Sequence, residues 1–564
     1  MPEPAIAAQT EPHTASPIRL AWKRQVIPAL LLSFYGIQCV WFIRTQSLTY
    51  DEPVHIAEGL DAWRNGRFED YNDHPPLARL LCTLPLIGRK WQVDVEKLPS
   101  GFRVPNILPD PISLASRARS VNVVLGVLLG LLLWLEAARL LSAAAANFTL
   151  ALFALSPSLV AHFSLFTTDG AATLLIFATA MAIMRWRRTN SWSNAVACGV
   201  VFGLLLLAKF STIPIFFLAA FWMLVLANGQ VRLHPLRWNW AKTAVALLIA
   251  FLILWAGYFF HVSHLTIHDH TLVVTHPHWT APLVKPTHSK LSISVPVPAG
   301  EFLAGLRDVA LHNSHGQPAY FLGQVSPTGG WKAYYPATIL LKWPILVLAI
   351  SCTGLILCIS KKVSVPGFWV CVSFPALYFL LAVFAHFNIG ERHVLPVYPF
   401  ALLFAGAAWQ RLSGKPRGTA FLLLLLLLNA ADILRYAPGY LSYFNIFVSP
   451  GSSYRLLADS NLDWGQGLLA LREYEREHPD EHISLAYFGS VDPAVYGIHG
   501  QVLRENEHPT GTIVVSATHL AGEYLKDPNA YKWLLGSPRI AILDHSLYVF
   551  SVSADNGSPV SLNR

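Results

Sequence analysis

Charge is what this 564-residue chain has least of: Asp, Glu, Lys and Arg make up 13% of it, against 54% hydrophobic residues. Soluble domains carry about 25% charged residues, so this scarcity, with a positive mean hydropathy, excludes an ordinary soluble protein and implies repeated membrane crossing. Cysteine is scarce too. The six cysteines lie mainly inside apolar runs, without CxxC or other metal-type spacing, and read as small apolar residues. No HExxH pattern and no internal repeat is present, and the first apolar run lacks a small-residue cleavage site, so it reads as a retained anchor. The net charge of +8 needs no nucleic acid, because the basic residues cluster between apolar runs, where they orient the chain.

What is present is a series of apolar runs near the roughly 20 residues that cross a bilayer. They occupy 26–43, 120–136, 144–162, 168–184, 194–208, 212–227, 243–260, 336–360, 366–386, 396–410 and 418–435, predicting a polytopic α-helical membrane protein of about eleven transmembrane helices. With a cytoplasmic tail at 1–25, alternate connections from Arg19, Lys23 and Arg24 to Arg411, Lys415 and Arg417 carry the basic residues, which satisfies the positive-inside rule. The loops at 44–118 and 261–335 and the tail at 436–564 then face outward. In the first loop, Asp51 before Glu52 and Pro53, and Asp73 in DHPPLARLL, read as capped starts of short amphipathic helices lying along the outer membrane surface. The tail mixes a helical stretch, GQGLLALREYEREH, with β-type runs (ISLAYF, TIVVSA, RIAIL, LYVFSV), which predicts a small α/β domain.

Charges at span ends are costly unless used. Asp51, Glu52, Arg117, Arg119, Asp169, Lys209, Lys342, Glu391, Arg392 and His393 all fall at the outward face. Singly, each could snorkel or cap a helix. Together they predict a polar cleft suited to a lipid-borne anion, with carboxylates able to take a proton. His55 and Glu58 share a helix face with Asp51, and HVSHLTIHDH, which includes His268 and His270, concentrates imidazoles in the second loop, so a divalent cation is an open alternative to surface histidines.

The acidic pair after the first span, HPPL later in that loop, Asp169 at the fourth span and GERHVLPVYP before a late span resemble, in this order, the GT-C integral-membrane glycosyltransferases of the protein O-mannosyltransferase and aminoarabinose-transferase group. YFLGQVSPTGGWKAYYPATILLKWP and DSNLDWGQGL are similar to segments of bacterial members. The resemblance implies a GT-C transmembrane catalytic domain over 26–435, in a bacterial cytoplasmic membrane with its site facing the periplasm or cell exterior. It also implies transfer of a sugar, with inversion, from a polyprenyl-phosphate donor to a hydroxyl on protein, lipid or glycan, with no required cofactor. Asp51 would be the base, with Glu52 orienting the acceptor or supporting Asp51 and Asp169 positioning. Arg119, Lys209, Lys342 and Arg392, with His74 and His393, would contact the donor phosphate. A transporter, or a polymerase or ligase of lipid-linked glycans, are the alternatives; the sugar and acceptor stay open.

Overall fold

The computed structural model describes residues 17–68, 73–88, 92–97, 103–108, 110–227, 240–268, 271–276, 279–284 and 294–553. Helices occupy each of the expected apolar runs, beginning with Pro17–Thr45 and ending with Pro416–Leu434. Among the described residues, five of them are long and apolar enough to cross a membrane, and up to seven if each of two bent pairs counts as one span, against the eleven or so that hydropathy predicts. Local chemistry sets many of the boundaries. Asp110 accepts a hydrogen bond from the Ser113 amide ahead of Pro111, Ser142 from Ala145 and Ser191 from Asn194, each relieving an orphan donor of a helix start.

Hydropathy does not see angles. The run 144–162 is two helices, Ala143–Ala154 and Pro157–Phe163, bent by 64°, and 336–360 is Tyr334–Lys342 and Ile345–Ile359, bent by 113°. Proline stands at or beside each break, at Pro157 and Pro344, where its missing N–H and fixed φ favour a new helix start over continuation. Helix packing relies on small residues: a Cβ on Gly199 would come within 2.6 Å of the Ala246 carbonyl oxygen, so helices Trp192–Ala208 and Trp240–Gly257 approach backbone to backbone.

The first loop forms helices Glu52–Asn65 and Leu77–Thr83, near both expected starts. Two features differ from expectation. Asp51 stands at the N-cap position but its side chain makes no capping hydrogen bond, and the N-cap of the second helix is Pro76, three residues past Asp73. The two helices are also wedged into the protein, with Ile56, Leu60, Ala78 and Cys82 buried in one cluster with Leu468, Leu485, Val514 and Leu547 of the tail. Apolar surface on both sides of the wedge is removed from water, which an interfacial helix would not achieve.

The second loop carries a four-stranded antiparallel sheet, ordered Trp279–Val284, Thr271–His276, Val262–His268, Ser294–Pro298, followed by helix Gly300–His315. In the tail, the alternating runs form the strands Ile483–Ala486, Gly511–Ser516, Arg539–Leu543 and Leu547–Val552. With Gln501–Val502 they make a five-stranded mixed sheet, covered by Leu468, Leu471 and Tyr474 of helix Leu468–Glu477. The boundary at 436 therefore does not separate two cores.

Candidate active site

Asp51 and Glu52 are adjacent in sequence and opposite in environment. Glu52 is fully buried: Arg119 donates to its Oε1 from Nε at 2.8 Å and to its Oε2 from Nη2 at 2.6 Å, the Phe166 amide donates to Oε1 at 2.7 Å, and Thr49 donates to Oε2 from its amide and hydroxyl. Arg119 also donates to the carbonyls of Gln46 and Ser47 at 2.8 and 2.6 Å and is 0% exposed. This is a closed, bidentate, fully satisfied buried pair. Sequence reasoning offered Glu52 to orient the acceptor or support Asp51, and Arg119 to contact a phosphate; both side chains are fully buried and bonded to protein partners.

Asp51, free of any capping duty, has a side chain 34% exposed and takes a 2.9 Å hydrogen bond on Oδ2 from Arg392 Nη1. The Arg392 guanidinium lies over the ring of Trp464, 4.0 Å from its centroid, and its buried Nε has no hydrogen-bond partner. Asp169, in the first turn of helix Thr168–Thr189, accepts from Lys209 Nζ at 2.6 Å and interacts electrostatically with Arg392 and His393. Asp51, Asp169, Lys209 and Arg392, drawn from four separate segments, thus share one site.

Of the remaining sequence candidates, His74 and His393 join this site electrostatically through Lys209 and Arg392, and His74 Nδ1 and His393 Nε2 are buried without hydrogen-bond partners. Burial, reinforced by Lys209, His55, Arg79 and Arg392, holds the His74 pKa well below the ordinary histidine value. The shift favours the neutral imidazole, in which one ring nitrogen donates and the other accepts. Lys342 is corrected: its ammonium donates to the carbonyls of Leu441 at 2.8 Å and Asn461 at 2.5 Å and fastens the backbone of the tail. In GER, Glu391 turns into the bundle, accepting from Ser158 at 2.8 Å and from Tyr398.

The metal alternative loses its first-loop candidates. Arg79 pairs with Glu58 at 2.8 Å and its Nε reaches His55 Nδ1 at 3.4 Å, so a guanidinium stands where a cation would sit. His55, too, is held well below the ordinary histidine value, by burial first and then by Arg79 and Arg392. Among the described residues no three His, Cys, Asp or Glu side chains converge. His270 lies outside the described residues, as does the side chain of His268.

Sequence reasoning missed the contribution of DSNLDWGQ. Ser460 donates to the Ile389 carbonyl at 2.5 Å, Asn461 Oδ1 accepts from the Glu391 amide at 2.9 Å, and a Cβ on Gly390 would collide with Ser460 Oγ. Further on, the carbonyls of Trp464 and Gln466 accept from the amides of Tyr50 and Ser47, both at 2.9 Å. One tail segment thus interlocks with both strips of chain that carry the Asp51–Arg392 pair. Asp459 opens that segment; it is 3% exposed and interacts electrostatically with Arg392 and Asp51. Burial pushes its pKa up to about 6, with Arg392 and the Tyr524 hydroxyl pulling the other way. The sequence signal was the resemblance of DSNLDWGQGL to segments of bacterial members of the GT-C group, which gave its residues no role.

Comparison with known proteins now adds to this geometry. Residues 114–255 match the family described as dolichyl-phosphate-mannose-protein mannosyltransferase. A search of curated proteins finds no match. Among solved structures the chain is similar to the S. cerevisiae protein O-mannosyltransferase Pmt1-Pmt2 complex bound to the sugar donor, with a TM-score of 0.50 and 13% identity over 74% of this chain and 90% of that one. It is also similar to ArnT from Cupriavidus metallidurans bound to undecaprenyl phosphate, with a TM-score of 0.49 and 12% identity over 96% of this chain and 99% of that one. The family match, with the fold shared with the O-mannosyltransferase, supports a membrane glycosyltransferase of the GT-C type. The matched stretch includes Asp169 and Lys209, while residues 51, 74 and 390–399 lie outside it.

Proposed function

We propose that this protein transfers a sugar from a polyprenyl-phosphate donor to an acceptor hydroxyl, with inversion, at the outer face of a bacterial cytoplasmic membrane. The observation that carries the reading is the Asp51–Arg392 pair: a solvent-open carboxylate, absent from its own helix cap, bonded to a guanidinium with a spare, buried N–H. In the reaction, Asp51 takes the proton of the acceptor hydroxyl while its oxygen attacks the anomeric carbon. The bond from that carbon to the phosphate oxygen breaks, and its electron pair stays on the phosphate.

Charge grows on the phosphate as that bond breaks, so preformed donors aimed there favour the transition state over the ground state. Arg392 has the geometry for two parallel hydrogen bonds; Lys209, shared with Asp169, supplies a point charge. His74 and His393 bring unpartnered ring nitrogens to the same place. Arg119 and Lys342 have no part in this step, since each is bound to protein acceptors. A polyprenyl-phosphate donor is supported by the family match, whose description names dolichyl-phosphate-mannose.

The test is mass spectrometry of envelope lipids and proteins from cells carrying the wild-type chain or Asp51→Asn. One glycan mass should be present in the first and missing in the second at equal protein abundance. Identical profiles would remove Asp51 from the role of base.

A further inference from the structure

The tail opens with an uncharged strip that is tied down along its length and yet holds two apolar side chains out of the protein. No Asp, Glu, Lys or Arg falls between Arg435 and Arg455. Within the strip Ile446 and Phe447 are 58% and 77% exposed, although Asn445 and Val448 on either side are buried. The turn that presents them is fixed: the Val448 amide donates to the Asn445 carbonyl at 2.9 Å, and the Phe447 amide to Asn445 Oδ1 at 3.3 Å. A side-chain bond of this kind to the backbone two residues on is how Asn holds a tight turn. Apolar side chains scattered singly over a surface are ordinary, whereas an adjacent pair held out by a rigid turn calls for a partner.

The place of the turn decides which partner. Asn445 grips the end of helix Tyr334–Lys342: its amide donates to the Leu341 carbonyl at 2.9 Å, and its Nδ2 to the carbonyls of Leu340 at 2.6 Å and Trp343 at 3.1 Å. There the chain bends by 113° into the apolar helix Ile345–Ile359, and Leu340, beside the turn, is exposed as well. On the other side, the Tyr443 hydroxyl donates to Asp432 Oδ2 at 2.6 Å, in the last turn of helix Pro416–Leu434, which is long and apolar enough to cross a membrane. The turn is thus pinned to the ends of two membrane segments, at the depth where hydrocarbon meets headgroups, and carries no charge that would resist entry. Beyond it, the tail sheet holds the same strip: Tyr548 donates to the Pro450 carbonyl at 3.1 Å and Arg539 to the Gly451 carbonyl at 2.7 Å.

We propose that Ile446 and Phe447, with Leu340, insert into the hydrocarbon of the leaflet beside the tail, and that this wedge moors the tail sheet to the bilayer. The partner is the lipid acyl chain and not a second protein, because the wedge springs from the ends of two membrane segments and the chains that cover those segments reach it. The mooring bears on the site. Lys342, at the same helix end, donates to the Asn461 carbonyl, and Asn461 accepts from the amide of Glu391, the residue before Arg392. The proposal does not depend on the sugar-transfer reading.

The test places an environment-sensitive fluorophore on Phe447→Cys in a Cys352→Ser background, which removes the exposed thiol and leaves only buried ones. Val502→Cys is the comparison, since Val502 is also 77% exposed but lies on the Gln501–Val502 edge strand of the tail sheet. Both positions are open, so a label there displaces no packed side chain. The full-length protein is reconstituted in lipid nanodiscs and quenched either by a nitroxide carried on the acyl chain near the headgroup or by iodide in the water. The probe at 447 should emit at shorter wavelength than the probe at 502 and be quenched severalfold more by the lipid nitroxide than by iodide, with the order reversed at 502. Iodide quenching at 447 as strong as at 502 would overturn the proposal. So would protection of 447 from both quenchers, the result expected if another protein surface covers the turn. Lipid quenching at both positions would also overturn it, because the whole sheet would then lie on the bilayer without a wedge.

Discussion

The two sides of the 51–52 peptide bond are a natural experiment in what a buried charge is for. On the Glu52 side every oxygen is matched by donors, the partner Arg119 has no exposure, and the pair joins the first loop to helix Pro111–Leu140. On the Asp51 side the carboxylate keeps one strong partner and an open face, and that partner keeps an unanswered N–H. Saturation marks the structural pair, and incompleteness is what sets apart the pair proposed to react. The same contrast recurs at 391–392, where Glu391 is absorbed by Ser158 and Tyr398 while Arg392 stays available.

The sharpest way to break this comparison is to exchange fates. Arg119→Leu should leave Glu52 buried and unpaired, costing about 3 to 5 kcal/mol; detergent-solubilised protein should show a collapsed unfolding midpoint, and a midpoint like wild type would mean the pair is not structural. Asp51→Asn should do the reverse, lowering transfer by about 10² to 10⁴-fold with the midpoint unmoved; a parallel loss of stability would make Asp51 another Glu52. Arg392→Lys keeps the charge but loses the planar fork and the stacking on Trp464, and should weaken donor use by roughly tenfold, read as a rise in donor KM with acceptor KM unchanged. Smallest is Lys342→Met, which removes a tether and not a phosphate ligand: a modest fall in stability, about 1 to 3 kcal/mol from the unsatisfied carbonyls, with donor KM constant. A rise in donor KM there would restore Lys342 to the phosphate set.

Much of this was legible in the sequence, for a definite reason. Asp51, Asp169, Lys209 and Arg392 interrupt apolar runs at one face, and hydropathy exposes such interruptions directly. The strands at 483–486, 511–516, 539–543 and 547–552 follow from alternation and β-branched content. What periodicity cannot show is partnership. Glu52 and Arg119 looked the same as Asp51 and Arg392 because a sequence shows a charge without showing which acceptor satisfies it. The bends beside Pro157 and Pro344 were hidden inside uninterrupted hydropathy, and Asp459, Trp464 and Tyr524 lie so far along the chain from residue 51 that only the folded state brings them together. Arg79, seen only as part of a short helix, displaced the metal alternative by occupying the space between His55 and Glu58.

The amides of Ser47 and Tyr50 wait for carbonyls that arrive some four hundred residues later, at Gln466 and Trp464. A chain cut short before residue 464 would carry every helix of the bundle and still lack the two carbonyls that hold the strip bearing Asp51.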